Sequence, residues 1–129
     1  MRPLLKAAAI AALALGAATA AQADTTVSNK WRIEVSEGAN NTGTMQFRLT
    51  PAQGAPIDVS ATIREGRGEN GVARDIRDAM QAQLPADRFS VETDDGEDVL
   101  VKKQDGQPDF AIELVESTVT GTRVEFDRE

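Results

Sequence analysis

The sequence predicts a small α+β domain in which one amphipathic helix packs on antiparallel sheet, in the order β-β-β-α-β-β-β-β. Three observations predict it. Beyond residue 23, only Asn70–Leu84 repeats its apolar residues at helical spacing. Seven other segments alternate apolar and polar residues with the period of a half-buried strand. The stretches between them are short and rich in Gly, Pro, Asn and Asp, which suits antiparallel neighbours joined by tight turns.

Residues 1–23 stand apart from this pattern. Arg2 and Lys6 precede an apolar run from Ala7 to Ala18, and the small residues of Ala21-Gln22-Ala23 follow. This is the layout of a secretory signal peptide: the run is too short and too rich in Ala to span a bilayer, and small side chains suit the pockets of a signal peptidase. Cleavage is expected after Ala23, leaving residues 24–129 as a single domain in the periplasm or outside the cell, with no membrane insertion. No Cys is present to carry a lipid at the cleavage site.

The first strand is read at Lys30–Ser36, where Trp31, Ile33 and Val35 oppose Arg32 and Glu34. Glu37–Gly43 reads as a turn, and Thr44–Thr50 places Met45, Phe47 and Leu49 on one face. The short connection predicts a hairpin between these two strands. After the Pro51–Pro56 turn, Ile57, Val59, Ala61 and Ile63 alternate with polar residues and are expected to complete a meander. Asn40-Asn41-Thr42 matches a glycosylation acceptor, but it reads more simply as an Asn-rich loop.

The helix follows Glu65–Glu69. Val72, Ile76, Ala79, Met80 and Leu84 form one stripe, with Asn70 available as a cap and Pro85 forcing the stop. GRGENG lacks the Lys and Ser/Thr of a phosphate loop, so it reads as a linker. Strand periodicity then returns at Arg88–Thr93 and Asp98–Lys103, joined by Asp-Asp-Gly-Glu, the strongest hairpin signal in the chain. Asp109–Glu116 and about Thr120–Asp127 complete the set.

Composition excludes more chemistry than it suggests. The chain has no His, Cys or Tyr, which removes the commonest general base, the thiol nucleophile, the phenolic acid and the usual ligands for zinc, copper, haem and iron-sulfur clusters. No cofactor is expected. Losing Arg2 and Lys6 leaves 12 of the 14 basic residues against 21 acidic ones, a formal charge of −9, which disfavours nucleic acid and anionic membranes as partners. With one Trp and four Phe, a stacking platform for sugars or bases is also disfavoured.

What remains is binding. The first expectation is a non-catalytic interaction domain for another exported or envelope protein, working through a sheet edge or an outer sheet face. Leu100, Val115 and Val119 are the candidate partner-binding residues, because their alternation points them away from the main apolar face. The alternative is a divalent-cation protein in which Asp94, Asp95, Glu97 and Asp98 supply oxygen ligands to Ca²⁺, although their spacing is not that of an EF-hand loop. A carboxylate-based hydrolase is the third reading, and it would need two acids held apart across a cleft.

Overall fold

A computed structural model describes residues 26–129. The expected signal peptide and its cleavage point near Ala23 lie outside the described residues. Among those residues, seven strands and one helix are formed: β1 (Lys30–Ser36), β2 (Gly43–Pro51), β3 (Ile57–Ile63), α1 (Glu69–Gln83), β4 (Phe89–Asp94), β5 (Asp98–Lys103), β6 (Phe110–Ser117) and β7 (Arg123–Arg128). No described helix is long and apolar enough to cross a membrane.

The strands divide into two antiparallel sheets, a four-stranded one ordered β4-β5-β1-β7 and a three-stranded one ordered β3-β2-β6. The alternation in each strand sends one side-chain set inward, so Trp31, Ile33 and Val35 meet Met45, Phe47 and Leu49 in a common core with Val59, Ala61, Ile63, Val99 and Val101. Aromatic rings join the sheets edge to face: Phe47 of β2 meets Phe126 of β7 at 6.3 Å, and Phe89 of β4 meets Phe110 of β6 at 5.2 Å. The Trp31 indole, pointed into this core, donates to the Phe110 carbonyl at 2.7 Å, so its one polar atom is satisfied.

Two corrections to the expected topology follow. The β-β-β run is not a meander, because β1 pairs with β5 and β7 and makes no hairpin with β2. The connection after β1 turns out of the sheet at Glu37, whose φ is 66°, and Ala39 is then pinned by a hydrogen bond from its N–H to the Arg67 carbonyl at 2.8 Å. That anchor carries the chain across to the other sheet. Among consecutive strands, only β2–β3 and β4–β5 pair as expected.

The second correction concerns the helix start. Gly68 occupies the cap position with no side-chain hydrogen bond, and Asn70 lies within the first turn. The stripe itself is as expected: Val72, Ile76 and Met80 are fully buried, Leu84 is buried, and Ala79 packs against the core.

The helix also serves the sheets with its polar face. Gln83 accepts from the Ser60 N–H at 2.9 Å and donates to the Ser60 carbonyl at 2.8 Å, while Gln81 donates to the Val91 carbonyl at 2.8 Å. Ser60 lies on edge strand β3 and Val91 on edge strand β4, so two glutamines of one helix satisfy backbone groups on an edge of each sheet. Gln83→Ala is expected to cost about 1 kcal/mol and to promote association through β3. A lowered denaturant midpoint together with growth in light scattering would check it.

Candidate functional site

The outer faces of the two sheets begin from the same pattern and end with opposite charge arrangements. In the three-stranded sheet, the central strand places Arg48 directly opposite Asp58 on β3 and Glu113 on β6. Arg48 donates to Asp58 from Nε and one Nη, at 2.7 and 3.2 Å, and this hydrogen bonding holds the Asp58 carboxyl below its usual range. A cation between two acids is the stabilising order.

In the four-stranded sheet the order is reversed. Central strand β1 turns Arg32 and Glu34 outward, and the register sets Glu34 opposite Asp98 on β5 and opposite Glu125 on β7. Three carboxylates therefore stand in one row across three strands. Asp127, opposite Arg32 in the register, lies diagonally from Glu34 on the same face. The Glu34 carboxyl is held above its ordinary range, first by a hydrogen bond with the Asp127 carboxyl, then by the charges of Asp127, Asp98 and Glu125 and by partial burial.

Arg32 neutralises one end of this row, at Asp98, and forms no ion pair with Glu34 or Glu125. Its guanidinium is drawn to Asp98 at 2.7 Å, Asp94 at 3.0 Å and Glu129 at 3.2 Å, and these bonds, Glu129 foremost, push its own proton affinity up. Beside the row, Glu34, Val35, Ser36, Glu69, Glu97 and Asp98 line a shallow groove of about 370 Å³. The helix N-terminus contributes Glu69 to it, and that carboxylate accepts from the Glu37 N–H at 3.1 Å.

The acidic turn is arranged differently from a cation loop. Asp94 and Asp98 are brought together around Arg32, Asp95 takes a φ of 54° beside Gly96 in the turn, and Glu97 faces the groove. Among the described residues, no three acidic side chains converge closely enough to hold a metal ion.

The three apolar candidates separate. Leu100 is only 7% exposed, standing between Arg32 and Glu92 in the register, and Val119 at 8% has joined the core. Neither presents a surface. Val115 is 42% exposed because it is the extra residue of a β-bulge: Gln46 pairs with Glu116 and Phe47 with Leu114, leaving Val115 without a partner.

Sequence reasoning passed over Glu34, Glu125 and Asp127. Alternation alone turns each of them outward, but their meeting depends on β1 pairing with β7, whose residues lie about 90 positions apart in the chain. No family model and no curated protein matches the sequence.

Proposed function

We propose that this is an exported, acidic, non-catalytic binding module that takes an extended basic segment of another exported or envelope protein along β7. The observation that carries the reading is the outward row of that strand. Glu129 N–H donates to the Lys30 carbonyl at 3.0 Å, and alternation from there turns the backbone of Asp127, Glu125 and Arg123 toward β1. The N–H and C=O groups of Val124, Phe126 and Arg128 therefore point away from the sheet. Among the described residues no strand or side chain bonds to them.

An added strand would supply main-chain hydrogen bonds, and its side chains on the outer face would lie next to Glu125 and Asp127. Cationic residues at alternate positions suit that face. The attraction acts mainly on the rate of encounter and weakens as salt rises.

The test is a titration of the isotope-labelled protein with a peptide of alternating Lys and Val. Expected are new amide protection confined to Arg123–Arg128 and binding about tenfold weaker in Arg128→Pro, which deletes one outward donor and no bond to β1. Perturbation centred elsewhere, or equal binding by the proline variant, would reject the reading.

A further inference from the structure

We propose that the seam between β1 and β7 is a clasp that tightens in acid and loosens toward neutral pH. The geometry comes first. Glu34 on β1 faces Asp98 across one ladder and Glu125 across the other, with Asp127 on the diagonal. Like charges placed directly opposite each other in an antiparallel pair are destabilising.

Every charged group that faces Glu34 bears on the balance. On its own strand Arg32 is two residues away, but Asp94, Asp98 and Glu129 hold its guanidinium. β5 presents Asp98, and the turn before it presents Glu97. The helix presents Glu69. From β7 come Glu125, Asp127 and, opposite Ser36, Arg123, whose side chain reaches out to Glu37 at 3.4 Å. No cation among the described residues forms an ion pair with Glu34, Glu125 or Asp127. Apart from Arg32 on its own strand and Arg123 on β7, each paired with other acids, the charged groups around Glu34 are all acids.

A single proton changes the sign of the central contact. Bound between Glu34 and Asp127, it replaces a repulsion with the hydrogen bond that joins the two carboxyls. Because the folded state holds that proton more tightly than the unfolded chain does, the associated stability is complete below the ordinary carboxylate range. It is lost as pH rises through the elevated value of Glu34.

The loss acts on β7 in particular. β7 is an edge strand with β1 as its one strand neighbour, so it can loosen without breaking any other strand pair. Its other holds are the packing of Val124 and Phe126 on the core, the Arg32–Glu129 ion pair just beyond its end and the hydrogen bond from Thr122 to the Glu37 carbonyl just before its start. The clasp stands whether or not β7 accepts a further strand.

Amide hydrogen exchange on the whole protein tests it, corrected for the intrinsic dependence of exchange on pH. The amides of Glu125 and Asp127, which face β1, are expected to be protected several-fold more at roughly pH 5 than at about pH 7. Glu34→Gln should raise their protection at about pH 7 to near its acid level and flatten the dependence. Asp127→Asn should act alike, and the double variant should gain no more than either single one, since the two groups share one proton. Carbon NMR of the Glu34 carboxyl should show titration above the ordinary range. Protection of β7 that rises with pH, a parent and Glu34→Gln with the same pH profile, or an ordinary titration of Glu34 would each overturn the clasp.

Discussion

Phe47→Ala is expected to lower the stability of the domain by roughly 3–5 kcal/mol, the range for removing a fully buried aromatic ring. Phe47 is fully buried at the middle of β2, the central strand of the smaller sheet, and its ring meets Phe126 edge to face across the core. Two costs add: the lost transfer of the ring out of water and the void left between two sheets. The strands cannot close that void easily, because each is fixed by hydrogen bonds to its neighbours. Denaturant titration reads the loss directly from the shifted midpoint. A loss under about 1 kcal/mol would mean that the inner faces repack freely around the missing ring.

The second large effect lies in the loop that carries the chain between sheets. A Cβ built on Gly38 would stand 2.5 Å from the Arg67 carbonyl oxygen, the same atom that accepts the Ala39 N–H. Backbone cannot yield there without breaking that bond, so Gly38→Ala is expected to cost about 2–3 kcal/mol. Gly68, one residue beyond Arg67, is the control, because nothing lies within 4 Å of a Cβ placed on it. Gly68→Ser supplies the missing cap hydrogen bond and is expected to gain a few tenths of a kcal/mol. A Gly38→Ala protein as stable as the parent would show that the crossing loop is not pinned at Arg67.

These two sites mark what periodicity reveals and where it stops. Period two identifies the inward set of each strand, and Trp31, Ile33, Phe47, Val59 and Val101 all lie in the core. It says nothing about which strand is the neighbour. A short loop after β1 favoured pairing with β2, yet the left-handed turn at Glu37 and the Ala39 anchor send the chain to the other sheet. Where the turn chemistry was specific, as in Asp95-Gly96 with both φ values positive, the hairpin formed as expected.

The candidate site was legible in the same partial way. The acids of the β4–β5 turn stand out as a run, but their partner is Arg32, some 60 residues earlier. Glu34 reads as one solvated residue in KWRIEVS, and only the ladders to β5 and β7 reveal an acid among acids. Val115 is exposed, as its alternation suggests, but the bulge that leaves it without a strand partner on β2 is not visible in the alternation.

A sheet edge is a point of growth, and the number of such points decides how an assembly ends. The two sheets of the described residues have four. Gln83 and Gln81 occupy backbone groups on β3 and β4, while on β6 Ser28 bridges to Phe110 and the bulge interrupts the regular row. Among the described residues, the outward row of β7 is the one edge row that no side chain, neighbouring segment or bulge interrupts. Under the proposed reading, one added strand from a different chain would saturate that edge. A second copy meeting it edge to edge about a twofold axis would consume both rows at once, so association through this edge terminates at a pair and cannot propagate into a fibre.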